Sequence, residues 1–257
     1  MGKAIASNYG KVEIIKEGVI MVTALLTAAG IGARMGQDIP KQFIHVDNKP
    51  IIIYTMEAFQ KHPAIDNILV VTLPEWIDVL KAYAKQFEIT KLKWIIPGGK
   101  TGQESISLGI NELKKYLNDE DVIMIHDGNR CFVSYEIISN SLVTYKKYGS
   151  SVAAIPCVEA IFKSQDRGHS SNISIPREEL FRTQTPHTYS MKQLSNAFQL
   201  AKEKGITNAT AVCTLMQQLG ERIYFSKGSE LNLKITTPDD LIIFQALLHT
   251  KKAEWLK

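Results

Sequence analysis

Short apolar runs rich in β-branched residues alternate along the chain with stretches in which apolar residues recur at helical spacing. The strand-like runs are VTALLTA, NILVVTL, KWIIP, DVIMIHD and SVAAIP, and PIIIYTMEAFQKH is typical of the helical stretches. Continuously apolar strands that alternate with helices predict a largely parallel sheet covered on both faces. We therefore expect a doubly wound α/β fold, in which ligands bind outside the carboxyl ends of the strands.

The domain organisation is expected to be simple. A chain of 257 residues suits one large α/β domain, and the first strong strand begins at Met21. We expect residues 1–20 to be an N-terminal extension of unclear role and residues 21–257 to form a single domain. The extension lacks the apolar core and cleavage site of a signal peptide, and the apolar runs are of strand length. A cytoplasmic protein is therefore expected.

The alternation is interrupted between residues 157 and 177. The segment CVEAIFKSQDRGHSSNISIPR contains two short strand-like pieces around a turn rich in Gly, Ser and Asn, which predicts a β-hairpin arm. Its apolar stretches VEAIF and ISI have nothing within the arm to pack against. We expect the arm to pair with the same arm of a second copy, in a homodimer.

Composition favours a small anionic ligand over nucleic acid. The chain is 45% hydrophobic and 22% charged, with a formal net charge of +4, and it lacks the clustered Lys and Arg of a duplex-binding surface. Cys131, Cys157 and Cys213 have no CxxC spacing, so neither a disulfide framework nor a zinc site is indicated. We expect neither nucleic acid nor a membrane as a partner.

A glycine-rich segment, TAAGIGARMGQDIPKQF, follows the first predicted strand. Its glycines can expose backbone N–H groups to an anion because no Cβ stands in the way, which indicates phosphate binding. Gly30, Gly32 and Gly36 have the spacing GxGxxxG, whereas dinucleotide-binding loops have GxGxxG, and the GK[ST] of a Walker loop is lacking. A turn that merely joins a strand to a helix would also explain the glycines.

Two cations on the same segment favour a polyphosphate ligand. Arg34 and Lys41 are seven residues apart, and Pro40 imposes an extended approach to the lysine. An arginine fork and a lysine point charge together stabilise charge that develops on a transferring phosphoryl or nucleotidyl group. Either residue alone is explained as a solvated surface cation, but the pair beside the glycines favours a functional site.

Five motifs follow one another in order along residues 22–250. They are AAGIGARM with PKQF, then GGKTGQESI, HDGNRCFV, PREELFRTQTPHTY and LNLKITTPDDL. Together they resemble the motifs of the 2-C-methyl-D-erythritol 4-phosphate cytidylyltransferase family and its ribitol- and glycerol-phosphate relatives; HDGNRCFV, for example, resembles the family's HDAARPFV. The resemblance implies a Rossmann-like nucleotidyltransferase fold. It also implies an enzyme that transfers CMP from CTP to a small alditol phosphate, releasing pyrophosphate and a CDP-alditol.

The resemblance assigns roles to individual residues. The implied catalytic cations are Arg34, Lys41 and Lys234. The implied CTP-binding residues are Ala28, Ala29, Gly30, Gly32, Gly98, Gly99, Ser105, Asp127 and Gly128. The implied acceptor-binding residues are Arg130, Ala160, Arg177 and Thr207. Within these sets, Asp127 is the implied ligand of Mg²⁺ or another divalent cation, and Arg177 reaches the neighbouring subunit's site from the dimer arm.

Several of these residues have plainer interpretations. Asp127 is also typical of a turn at the end of a strand, and His126 is better explained as a packing residue than as a base. Arg177 alone would be a surface charge at a strand end. Lys234 alone would be an edge-strand lysine that discourages aggregation.

Four positions depart from the family pattern. Gly102 replaces the arginine of TRQ, Ala160 a threonine, Asn208 an aspartate, and Leu231 the aspartate before N-[IL]-K. The glycine loop, the catalytic cations and Asp127 remain, so nucleotidyl transfer is expected to survive. Because the altered positions lie on the acceptor side, they favour ribitol or glycerol phosphate over 2-C-methyl-D-erythritol 4-phosphate.

Two functions of other classes stay open. One is a NAD(P)-dependent oxidoreductase that uses Gly30 and Gly32, although the glycine spacing and the lysine of PKQ argue against it. The other is a catalytically weak nucleotide-binding protein, which the changes at Gly102, Ala160 and Asn208 suggest.

Overall fold

A computed structural model describes residues 20–30 and 39–250 of the chain. The predicted loop residues Gly32, Arg34 and Gly36 lie outside the described residues. Within the described ranges, the chain forms a seven-stranded sheet with helices on both faces and two small two-stranded sheets. This architecture confirms the predicted doubly wound α/β class.

The main sheet is mostly parallel. The strands are β1 (Val22–Ala28), β2 (His45–Val46), β3 (Lys49–Pro50), β4 (Asn67–Thr72), β5 (Leu92–Pro97), β6 (Val122–Asp127), β7 (Ser151–Pro156), β8 (Ile161–Phe162), β9 (Ser174–Ile175), β10 (Phe181–Ser190) and β11 (Phe225–Lys227). The order across the main sheet is β11-β7-β10-β6-β1-β4-β5. Strands β6, β1, β4 and β5 pair in parallel, as do β11 and β7. The five apolar runs that predicted strands form β1, β4, β5, β6 and β7.

Helices cover both faces of this sheet. They are α1 (Ile51–Lys61), α2 (Ile77–Gln86), α3 (Gly102–Leu113), α4 (Tyr135–Tyr148), α5 (Met191–Glu203), α6 (Val212–Gln218) and α7 (Pro238–Thr250). Three of them begin at hydroxyl caps: Thr101 before α3, Ser134 before α4, and Ser190 in a capping box with Gln193 before α5. No helix in the described part of the chain has the length and apolar character needed to cross a membrane.

The alternation of side chains along β1 divides the core into two layers. Ala24 and Leu26 pack with apolar residues of α1, α2 and α4, whereas Leu25 packs with those of α3, α5 and α6. All three residues are fully buried. Since both faces of the strand are covered, its sequence is continuously apolar.

Strand β10 was not predicted from the sequence. Its residues FRTQTPHTYS are polar and lack a regular apolar alternation, yet it runs antiparallel between β6 and β7. The register with β7 shifts between Thr183 and His187. In this interval the Gln184 side chain bonds Ser229 in the segment after β11, and the Thr185 hydroxyl bonds His126 and Asp127 at the carboxyl end of β6.

The segment 157–177 contains a hairpin. Strands β8 and β9 pair antiparallel through Ile161 with Ile175 and Phe162 with Ser174. The tip is held by Asp166, whose carboxylate accepts hydrogen bonds from the Ser164 and Ser170 hydroxyls. Pairing of this arm with a second copy stays a prediction.

Candidate active site

A cavity of about 700 Å³ opens at the carboxyl edge of the main sheet. Its wall includes residues that follow β1, β4, β5 and β6, together with part of β10. Open α/β sheets bind ligands at this edge. The start of the glycine loop, at Ala29 and Gly30, and the HDGNR segment therefore face one cavity, as their positions in the sequence predicted.

The start of the glycine loop is held by Gln42, which sequence reasoning did not single out. The Gln42 amide nitrogen donates to the carbonyl oxygens of Ala28 and Gly30, the second at 3.1 Å, and the side chain is 1% exposed. Lys41 precedes it in a one-turn 3₁₀ helix and lines the cavity. The only sequence feature that could have identified Gln42 is its position in PKQF, between Lys41 and a buried phenylalanine.

Small residues form the rim beyond β5. The Ser105 hydroxyl accepts a hydrogen bond from the Gly99 N–H at 3.0 Å, and both residues line the cavity. A Cβ at Gly98 would lie 2.2 Å from the Cβ of Ala29, so only glycine permits this approach to the start of the glycine loop. In contrast, a Cβ at Gly102 would meet nothing within 4 Å.

Gln103 joins this rim to the opposite wall. Its amide nitrogen donates to the Ile206 carbonyl at 2.6 Å, and its amide oxygen accepts from the Ala209 N–H at 2.7 Å. Residues 209–212 consequently line the cavity, whereas Thr207 is exposed and does not line it.

Asp127 forms ion pairs with two cations at the end of β6. Its Oδ1 lies 2.9 Å from the Lys234 ammonium, and its Oδ2 lies 2.9 Å from Nε of Arg130. Burial alone would raise the pKa of Asp127, but Lys234 and Arg130 outweigh it and hold the pKa of this carboxyl well below its usual range. The carboxylate is therefore ionised, and all three residues line the cavity.

Behind Asp127, a buried histidine orders the turn that carries Arg130. Nε2 of His126 lies 3.1 Å from the Arg130 carbonyl, which only accepts, so this nitrogen carries the proton. Nδ1 then accepts from the Thr185 hydroxyl at 3.0 Å, and the same hydroxyl accepts from the Asp127 N–H at 3.0 Å. Burial lowers the pKa of His126 to about 4. Neutral and fully buried, His126 has the environment of a packing residue.

Lys234 lies in the segment between β11 and α7, which has no strand of its own. The interpretation of Lys234 as an edge-strand residue is therefore wrong. Gln184 holds the start of this segment, since its amide donates to the Ser229 carbonyl at 2.8 Å and accepts from the Ser229 N–H at 3.2 Å. The Asn232 amide donates to the Thr185 carbonyl at 2.8 Å. The QTP and NLK motifs are thus in direct contact.

The remaining acceptor-side residues are spread more widely. Arg130 lines the cavity, but Ala160 and Arg177 lie on or next to the hairpin and do not line it. The Arg177 guanidinium donates to the Val158 carbonyl at 3.1 Å and pairs with Glu178 at 3.4 Å. Gly128 is buried beneath the cavity against Thr27 and Ile52.

The donor set at Asp127 limits how a metal could bind. Across residues 20–30 and 39–250, no group of three or more His, Cys, Asp or Glu side chains is arranged to hold a metal ion. A single ionised carboxylate in the cavity fits the other common mode, in which Mg²⁺ is held by one or two carboxylates and substrate phosphates.

Comparison with known proteins agrees with the five motifs. The sequence pattern of the family described as 2-C-methyl-D-erythritol 4-phosphate cytidylyltransferase matches residues 22–250. The ribitol-5-phosphate cytidylyltransferase of Lacticaseibacillus paracasei is 39% identical over 234 residues, which cover 90% of this chain and 100% of that protein. The 2-C-methyl-D-erythritol 4-phosphate cytidylyltransferase of Clostridium botulinum is 35% identical over 229 residues, which cover 88% of this chain and 96% of that protein.

Solved structures agree on the fold. The crystal structure of the 2-C-methyl-D-erythritol 4-phosphate cytidylyltransferase from Thermus thermophilus superposes with a TM-score of 0.73 at 25% identity, covering 90% of this chain and 100% of that one. The chain therefore belongs to the 2-C-methyl-D-erythritol 4-phosphate cytidylyltransferase family of CTP-dependent nucleotidyltransferases.

Proposed function

We propose that this protein transfers CMP from CTP to ribitol 5-phosphate, releasing pyrophosphate and CDP-ribitol. The observation that carries the proposal is the ionised Asp127 between Lys234 and Arg130, in the same cavity as Lys41 and the start of the glycine loop. Because the chain belongs to a family of nucleotidyltransferases, we no longer propose a NAD(P)-dependent oxidoreductase. The identity of 39% to a ribitol-5-phosphate cytidylyltransferase supports the choice of acceptor.

CTP is proposed to lie across the cavity from the glycine loop to the rim that follows β5. The triphosphate binds backbone N–H groups of Ala28, Ala29 and Gly30 and the Lys41 ammonium, with Gly32 and Arg34 assigned to the same phosphates by their motif. The cytosine lies against Gly99 and Ser105, whose small groups offer hydrogen-bond partners to a pyrimidine edge. Gln103, which joins this rim to Ile206 and Ala209, also lines the cavity.

The reaction proposed is an in-line displacement at phosphorus. A phosphate oxygen of the acceptor forms a bond to the α-phosphorus of CTP, the bond from that phosphorus to the bridging oxygen breaks, and pyrophosphate leaves with the electron pair. The attacking oxygen is already anionic, so no base has to remove a proton. Catalysis then consists of positioning and of neutralising charge with Lys41, Arg34 and Lys234.

Asp127 fits the role of the carboxylate that holds Mg²⁺ together with the CTP phosphates. Mg²⁺, when bound there, supplies charge neutralisation on the reacting phosphate oxygens. Lys234 and Arg130 keep the Asp127 carboxylate ionised, which preserves its capacity to bind a cation.

The acceptor is proposed to bind next to Arg130, with Arg177 supplied by the arm of a partner subunit. Ala160 and Thr207 do not line the cavity of the same chain, so they are not assigned a contact with the acceptor. We further propose that the protein forms a homodimer through the arm at 157–177. Residues 21–257 are proposed to form one nucleotidyltransferase domain, with residues 1–20 as an extension. The proposed location is the cytoplasm, where CTP is available.

A pyrophosphate-release assay with CTP and a panel of alditol phosphates tests the function. We expect ribitol 5-phosphate to react about tenfold or more faster than glycerol 3-phosphate or 2-C-methyl-D-erythritol 4-phosphate. 2-C-methyl-D-erythritol 4-phosphate is the second candidate acceptor, because a cytidylyltransferase named for it is 35% identical over 88% of the chain. If 2-C-methyl-D-erythritol 4-phosphate reacts faster than ribitol 5-phosphate, it becomes the proposed acceptor. If no acceptor leads to release of pyrophosphate, the protein is better explained as a catalytically weak nucleotide-binding protein.

A further inference from the structure

The Lys234 ammonium depends on its surroundings for its position. Its segment has no regular secondary structure, and the side chain is 41% exposed where it reaches Asp127 at 2.9 Å. A flexible lysine side chain loses rotamer entropy when it is held, and a partly exposed ion pair compensates little of that loss. The groups that hold the backbone next to Lys234 therefore decide where the ammonium lies.

Asn129 provides the contact on the C-terminal side of Lys234. The Ile235 N–H donates to the Asn129 carbonyl at 3.0 Å, and the Asn129 side-chain amide donates to the Ile235 carbonyl. Asn129 is 5% exposed and Ile235 is fully buried. Because Asn129 is two residues after Asp127 and Ile235 directly follows Lys234, this pair of hydrogen bonds connects the two partners of the ion pair.

A second contact holds the N-terminal side. The Arg130 guanidinium donates to the Asn232 carbonyl at 2.6 Å while its Nε binds Asp127. Substitution of Arg130 would change the charge of the cluster as well as the contact. Asn129 is uncharged, so its side chain can be removed without altering the charges around Asp127.

The substitution Asn129→Ala keeps the backbone hydrogen bond from the Ile235 N–H and removes only the side-chain bond to the Ile235 carbonyl. We propose that Asn129 is a positioning residue of this enzyme, whose amide holds the Lys234 segment and so places the ammonium against Asp127. The inference rests on the proposed function of Lys234 at the transferring phosphate.

Kinetics of Asn129→Ala test the inference. We expect kcat with CTP and ribitol 5-phosphate to fall about tenfold while both KM values stay within about twofold, because a misplaced cation weakens the transition state more than the ground state. In a Lys234→Met background, the same substitution should have no further effect on kcat. Ser141→Ala is the matched control, since it removes a buried hydroxyl that bonds Thr188 at 2.8 Å away from the cavity.

An unchanged kcat in Asn129→Ala would overturn the inference. A rise confined to the acceptor KM would also overturn it, because it would mean that Asn129 contacts the acceptor. Multiplicative losses in the double variant would show that Asn129 does not act through Lys234.

Backbone deuterium exchange over residues 229–236 gives a readout that needs no acceptor. It should be faster in Asn129→Ala than in the wild type and unchanged in Ser141→Ala. If the wild type releases no pyrophosphate with any acceptor, the proposed function fails, and faster exchange still supports the contact. Unchanged exchange would overturn the inference whatever the activity.

Discussion

The wall of the cavity around Asp127 and the hairpin arm use their side chains in opposite ways. Around Asp127, polar groups are buried and bonded to groups distant in the sequence, as in the bonds of Thr185 and Asn129. In the arm, apolar side chains are exposed, with Val158 at 61% and Phe162 at 59%. The polar groups of the first region find their hydrogen-bond partners within one chain, whereas the second region leaves apolar surface exposed, as interaction sites do.

The largest expected effect concerns the pH dependence of stability that buried histidines cause. Burial lowers the pKa of both His62 and His187 to about 4, below the roughly 6.5 of an unfolded chain. Between these values the unfolded state binds more protons, so stability is lost as the pH falls from about 6.5 to 4. The loss is at most about 3 kcal/mol for each histidine.

Urea unfolding at pH 7, 6, 5 and 4.5 measures this loss. His187→Gln should reduce the dependence without abolishing it, because His62 and His126 are also buried with lowered pKa values. Equal stability at pH 6.5 and 4.5 in the wild type would contradict the expectation.

The second prediction tests the phosphate side of the cavity. Lys41→Ala should lower turnover about 10²-fold or more, since it removes charge stabilisation worth roughly 3 kcal/mol at the transferring phosphate. Arg34→Ala should behave in the same way. Both variants should keep the circular dichroism spectrum of the wild type.

Lys85→Ala, on the exposed surface of α2, is the control and should retain full turnover. Near-normal rates in both Lys41→Ala and Arg34→Ala would remove the assignment of this loop to the CTP phosphates.

The third prediction tests whether the arm needs a partner. Replacing both Ile161 and Phe162 by Asp should give a monomer, because burial of each apolar side chain in a dimer contributes roughly 1.5–3 kcal/mol. Turnover should fall about tenfold through the loss of the partner's Arg177, while CTP binding is retained. Sedimentation and CTP titration measure the two effects.

His169→Asp adds a charge to the tip without removing apolar surface, so it should remain dimeric. A fully active monomer of the double variant would mean that each site is complete within one chain.

The smallest effect compares two glycines on the rim of the cavity. Gly98→Ala brings a Cβ to 2.2 Å from that of Ala29, so it should lower the free energy of unfolding by about 1–3 kcal/mol and weaken CTP binding. Gly102→Ala has open space and should change stability by about 1 kcal/mol at most, in the stabilising direction. Thermal unfolding with and without CTP measures both, and equal behaviour of the two variants would contradict the packing argument.

Local sequence patterns predicted much of the fold and part of the site. The apolar runs identified β1 and β4 to β7, because strands buried on both faces must be apolar throughout. The positions of the glycine loop after β1 and of Asp127 at the end of β6 predicted that both lie at one edge of the sheet. The glycine-rich segment itself indicated Lys41, and the family motifs added Lys234, although the spacing of these residues did not show which groups would meet.

The tertiary structure decided the rest. Strand β10 is polar, and two neighbouring strands rather than its own pattern stabilise it. Gln42 bonds a residue 14 positions away, Gln184 one 45 positions away, and Asn129 one 106 positions away. A sequence determines local conformation through patterns of a few residues, whereas these contacts depend on the order of strands in the sheet, which brings distant loops to the same edge.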